Sequence, residues 1–261
     1  MAGVLLLLLG VAQQLTDWSQ QIPAKEWAVY RSVLDEAAHR QIPFALGGAF
    51  AVATYTGHWR NTKDLDLYVL PEHKDRMIAM LGDLGLADYY PTVAYDRWWI
   101  YRGTRDDVIV DIIWAMANHR AQIDDLWMSG PEVTLHGRRL RSLPAEALLW
   151  DKLYIMQRER CDWPDVLNLL YYAGPRVKWE YLLSRIGNDT PLLAGALSVF
   201  RWLSPGKAQE LPDWLWQKVG LAASAVPEEL PDFDKRRIDL LDRRPWFGPE
   251  REQRARLEPA A

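Results

Sequence analysis

The alternation of apolar and polar positions divides the chain into a mixed first half and a helical second half. From Glu26 to Arg40, residues Trp27, Tyr30, Val33, Leu34 and Ala37 recur at helical spacing and predict a helix with one apolar face for a sheet. Pro43 ends that helix, Phe44 to Leu46 reads as a short buried strand, and Gly47-Gly48 separates it from a second helix over Ala49 to Thr56. Leu65 to Leu70 reads as a strand stopped by Pro71, and Glu72 to Gly82 as an amphipathic helix carrying Met77, Ile78 and Leu81. Two runs, Trp98 to Arg102 and Val108 to Ile113, predict a hairpin across the turn-rich Gly103-Thr104-Arg105-Asp106-Asp107. Glu132 to Leu135 and Arg139 to Arg141 predict another, turning at His136-Gly137.

After Pro144 the strand pattern nearly vanishes. Ala145 to Gln157, Pro164 to Ala173, Val177 to Ile186, Leu192 to Leu203 and Asp213 to Ala225 read as helices, separated by Gly174-Pro175, Pro205-Gly206 and Pro227. The expected organisation is an α+β domain over residues 1–142 and an α-helical domain over 143–244. A charged tail over 245–261, with Arg251, Glu252, Arg254 and Arg256, completes it.

Composition narrows this picture only modestly. With 49% hydrophobic and 25% charged residues in 261, the chain has enough apolar material for a sizeable core. A formal charge of -4 argues against non-specific coating of nucleic acid, which needs many Lys and Arg contacts to phosphate, although a local basic groove is compatible with it. The single cysteine, Cys161, excludes an internal disulfide, and no Cys/His spacing fits zinc, so a reducing, cytoplasmic setting is expected. The apolar run Val4 to Leu9 is too short to span a bilayer, has no basic leader and lacks a small-residue cleavage site. It is read as a buried or partner-facing helix, with no membrane partner.

The chemistry concentrates in two segments, Phe44-Ala-Leu-Gly-Gly-Ala-Phe-Ala51 and Arg60-Asn-Thr-Lys-Asp-Leu-Asp-Leu-Tyr-Val69. In a strand, residues two apart share a face, so Asp64 and Asp66 present two carboxylates together while Leu65, Leu67 and Val69 enter the core. Two such carboxylates repel unless cations sit between them, and Mg2+ (or Mn2+) is the natural ion, commonly held by one or two carboxylates and substrate phosphates. Gly47-Gly48, between a strand and a helix, lets bare backbone approach a triphosphate at Gly48 and Ala49. Asp111, alone in the apolar strand Val108 to Ile113, is the natural third ligand. It would help to hold the ion that activates an acceptor hydroxyl, with a general-base role as an alternative.

With Gly47, Gly48, Arg60, Thr62, Asp64, Asp66 and Asp111 in this order, residues 40 to 115 resemble the DNA polymerase beta-like nucleotidyltransferase superfamily. They look most like its bacterial stand-alone members, the abortive-infection and minimal types. The resemblance implies a mixed sheet with flanking helices followed by a helical domain, with an NTP (ATP among the candidates) and divalent metal in the cleft between them. It implies nucleotidyl transfer to RNA, protein or a small molecule, in a toxin–antitoxin setting with an antitoxin partner or a homodimer among the expectations. It also implies that Lys152 contacts the triphosphate, that Arg160 or Asp165 stabilises the cleft wall, and that Arg60 acts likewise. Arg160 and Asp165 have a plainer alternative as a mutual ion pair beside Asp162 and Pro164. His58 and His119 are read as structural or solvent-exposed, and Trp98, Trp99, Trp179, Trp202, Trp214 and Trp216 mainly as packing. The rival readings are an antibiotic nucleotidyltransferase and a catalytically silent nucleotide-binding module.

Overall fold

The structure, a computed structural model, describes residues 17–60 and 62–222 together with Arg237 and Leu240. The N-terminal apolar run and the charged tail lie outside the described residues, as do 223–225 of the helix expected to reach Ala225, which already stops at Lys218. The architecture is α+β, a mixed sheet with flanking helices followed by helices. It divides into two compact units, Met1–Leu148 and Leu149–Ala261.

In the first unit, α1 (Ala24–His39) leads to β1 (Ala45–Leu46), α2 (Gly48–Thr56), β2 (Asp64–Tyr68), α3 (Lys74–Asp83) and β3 (Ala87–Asp88). Next come β4 (Ile100–Arg105) and β5 (Val108–Ile113), and then the hairpin of β6 (Glu132–Leu135) and β7 (Arg138–Arg141). The five-stranded sheet has the order β1-β2-β5-β4-β3, with β2 and β5 parallel and the remaining neighbours antiparallel.

One face of this sheet is apolar because its strands alternate. Leu65 and Leu67 of β2 and Val110 and Ile112 of β5 are fully buried, in one core with Val29, Val33, Leu34 and Ala37 of α1 and Met77 and Leu81 of α3. The spacing of those helical residues is what the 3.6-residue period requires, and each fully buried side chain of this kind contributes about 1.5–3 kcal/mol. The opposite face is left for polar chemistry.

Several boundaries differ from the sequence expectation for identifiable reasons. The β4–β5 turn is not the five residues Gly103 to Asp107. β4 runs on to Arg105, which pairs with Val108, and Asp106 and Asp107 form a two-residue turn with φ of 56° and 63°. Such a turn matches strand twist and tolerates Asp in left-handed backbone. The short β3 was not foreseen, and β2 ends at Tyr68 rather than Leu70.

The second unit is helical where described. The helix α4 (Ala145–Leu153), in which the division between the units falls, stops four residues before Gln157. That residue instead donates its backbone N–H to the Arg160 carbonyl at 2.7 Å in a tight turn. The helices α5 (Trp163–Ala173), α6 (Trp179–Ile186), α7 (Thr190–Leu203), α8 (Pro205–Ala208) and α9 (Asp213–Lys218) follow. Pro164, Pro191 and Pro205 stand in first turns, where a missing N–H costs nothing. The tryptophans do not all pack inside: Trp179 and Trp216 are buried, whereas Trp98, Trp202 and Trp214 are exposed.

Candidate active site

On β2, the alternation that buries Leu65 and Leu67 sets Asp64, Asp66 and Tyr68 on the other face. Parallel pairing puts Asp111 of β5 beside Asp66, and antiparallel pairing puts Arg102 of β4 beside Asp111. A row of charged residues, Asp66, Asp111 and Arg102, therefore crosses three adjacent strands. One carboxylate oxygen from each of Asp64, Asp66 and Asp111 lies within 4.8 Å of the others.

Each acid is held differently. Asp64 Oδ1 accepts a hydrogen bond from the Thr62 hydroxyl at 2.5 Å, so Thr62 orients the first carboxylate. Asp111 is 1% exposed and accepts the fork of Arg102, from Nε to Oδ1 at 2.8 Å and from Nη2 to Oδ2 at 2.5 Å. This pair is the bidentate geometry in which arginine binds carboxylate most strongly. The bonds to Asp111 raise the arginine pKa further against the opposing effect of burial, and the charges of Asp64 and Asp66 add to the rise. Both oxygens of Asp111 are thus engaged by one guanidinium.

The glycine pair is explained by the same face of β2. A Cβ on Gly47 would lie 2.1 Å from a ring carbon of Tyr68, and one on Gly48 would lie 1.7 Å from Oδ2 of Asp66. Gly48 also has φ of +48°, and the Gly47 N–H donates to the Asp66 carbonyl at 2.9 Å. The backbone thus clears two side chains of alternate residues on β2 before turning into α2, and the turn sits directly against the second acid. Tyr68 is braced from elsewhere by Trp127, stacked at 5.8 Å.

The donor set fits a hard divalent cation. Three carboxylates and no sulfur or imidazole suit Mg2+ or Mn2+ rather than zinc. An octahedral magnesium with ligands at about 2.1 Å spans roughly 4.2 Å between opposite oxygens, so the cluster has the dimensions of an ion site.

Of the other expected residues, Ala49 is buried in the first turn of α2 and Arg60 is exposed. His58 is exposed, and His119 stacks on Trp98 at 4.1 Å and pairs with Asp96 at 2.5 Å. Lys152 belongs to the second unit, is 2% exposed, and its Nζ contacts Asp162 at 2.8 Å and Asp165 at 2.7 Å. Burial disfavours its charged form, yet Asp165 and Asp162 outweigh this and raise its pKa. Its ammonium thus lies between two buried carboxylates. Arg160 pairs with Asp162, at 3.0 Å. Burial works against the Asp162 anion, but the Arg160 hydrogen bonds and the Lys152 charge prevail and bring its pKa to about 2.

The residue that sequence reasoning missed is Arg102. Its signal was present: a two-residue turn at Asp106-Asp107 places 105 opposite 108 and hence 102 opposite 111.

No protein-family model matches the chain, and no curated protein sequence does. Among solved structures, the chain is similar to the antibiotic-resistance factor ANT(2'')-Ia in solution, at 17% identity and a TM-score of 0.43, over 69% of this chain and 94% of that one. It is also similar to ANT(2'')-Ia in complex with adenylyl-2''-tobramycin, at 18% identity and a TM-score of 0.42, over 69% and 98%. A third similarity, to JHP933 from Helicobacter pylori, has 15% identity and a TM-score of 0.36 over 91% and 100%.

Proposed function

We propose that the chain is a metal-dependent nucleotidyltransferase of the DNA polymerase beta-like superfamily, moving a nucleoside monophosphate from an NTP to an acceptor, RNA or protein, with release of pyrophosphate. The observation that carries this reading is the convergence of Asp64, Asp66 and Asp111 on one sheet face, immediately beside the Gly47-Gly48 turn that opens α2.

In this reading Asp64, Asp66 and Asp111 would hold the divalent ions, which would supply neutralisation of developing charge and activation of the acceptor hydroxyl. Thr62 fixes the orientation of Asp64, and Arg102 that of Asp111. The first amides of α2 have no acceptor within the helix and would meet the anionic oxygens of the NTP at the positive end of its dipole. The acceptor oxygen bonds to the α-phosphorus, the bond from that phosphorus to pyrophosphate breaks, and the hydroxyl proton leaves to water. Positioning and charge do most of the work.

The test is incubation of cell extract with the full chain, Mg2+ and each α-labelled NTP in turn, alongside Asp64→Ala and Asp66→Ala. Label should enter RNA or protein with the wild type only. Label confined to small molecules would replace the acceptor assignment, and no label in any fraction would sink the enzymatic reading.

A further inference from the structure

Arg102 is more than a strand residue with a convenient partner. It is directly opposite Asp111 in the β4–β5 ladder, and its guanidinium takes both oxygens of a carboxylate whose side chain is 2% exposed. The same carboxylate is the deepest of the three proposed metal ligands. A cation approaching Asp111 therefore meets an occupied carboxylate and a fixed positive charge a few ångströms away.

Resting on the nucleotidyltransferase reading of this site, we infer that Arg102 is an internal counter-ion that a divalent metal must displace from at least one oxygen of Asp111. Metal loading is then an exchange rather than a simple addition. In the metal-free protein Arg102 holds Asp111 in a single rotamer and offsets part of the repulsion among the three acids. On loading it yields that place, so it is a positioning residue that lowers intrinsic metal affinity while keeping the site assembled. The Coulomb cost of a second cation so close, even at an effective dielectric of about 20, is large enough to reduce affinity by about tenfold or more.

Binding of Mn2+ to the full chain without nucleotide, followed by the electron paramagnetic resonance of free Mn2+, tests this without any reliance on turnover. Arg102→Met keeps a stem of similar length without charge and should bind Mn2+ about tenfold tighter than wild type. Arg102→Lys keeps the charge but not the fork and should fall between the two. Asp66→Asn and Asp111→Asn set the reference. If neither weakens Mn2+ binding, the acid cluster is not a cation site and the proposed function fails with it. If both weaken it but Arg102→Met binds no tighter than wild type, only the counter-ion role is overturned. The wild type supplies a readout independent of variant folding. In 15N-labelled protein, Mg2+ should move the Arg102 Nε–H resonance and speed its exchange with solvent, and an unchanged resonance at saturating Mg2+ also overturns the exchange.

Discussion

Two clusters of acidic and basic side chains, one in each unit, look alike in sequence and differ in construction. In the second unit Asp162 and Asp165 are matched by Lys152 and Arg160, and the lysine and both acids are almost entirely buried. In the first unit the named members are three acids and one arginine. Asp64 and Asp66 keep partial exposure while Asp111 is buried. A cluster in which the charges of the named partners cancel is costly to disturb at its centre, because removing Lys152 leaves Asp162 and Asp165 buried with less compensation. A partly open group of carboxylates has geometry suited to receiving a cation from solution. The contrast separates a lysine whose ammonium lies between buried carboxylates from two aspartates that strand spacing sets on one partly open face.

Substitutions should separate the clusters, beginning with the largest effect. Asp66→Asn should reduce nucleotide transfer by about a thousandfold or more, since the proposed ion site loses a ligand charge, while leaving thermal stability close to wild type. If stability collapsed instead, the first cluster would be structural too. Lys152→Met should destabilise the chain by about 3–5 kcal/mol in urea unfolding, because Asp162 and Asp165 lose a partner buried with them. A near-neutral result would erase the distinction drawn here. Gly48→Ala, forced into left-handed backbone and against Asp66, should cost about 1–3 kcal/mol and also weaken Mn2+ binding.

The smallest expected effect is a pH dependence. The folded-state pKa of Asp162, about 2, lies below its ordinary value of 3.8, so the unfolded chain takes up the proton first on acidification. Its contribution is therefore fully present above about pH 4 and is lost as pH falls toward 2. After allowance for solvent screening it is on the order of 1 kcal/mol. Asp162→Asn should flatten the stability curve over that window, and an unchanged slope would detach Asp162 from acid sensitivity.

Much of the first unit was legible in its periodicity. The apolar faces of α1 and α3, the strand carrying Asp64 and Asp66, and the apolar run enclosing Asp111 all follow from local spacing, which burial then respects. Arg102 is not legible as a partner of Asp111 from a five-residue hairpin loop, because a displaced turn hides which residue faces which. The same holds for the glycines. Their need for bare backbone could be read, but the side chains they clear, Tyr68 and Asp66, belong to a strand beyond an intervening helix.

By itself, then, the sequence determined the α+β order of elements, the shared face of Asp64 and Asp66, and the break at Gly47-Gly48, because each depends on a period of two or 3.6 residues within a single segment. The tertiary structure decided that β5 lies parallel to β2, so that Asp111 joins the pair, that Arg102 closes on Asp111, and that Lys152 pairs with Asp162 inside its own unit. These depend on pairing and burial between segments far apart in the chain, and no local period encodes which distant strand or carboxylate a side chain will meet.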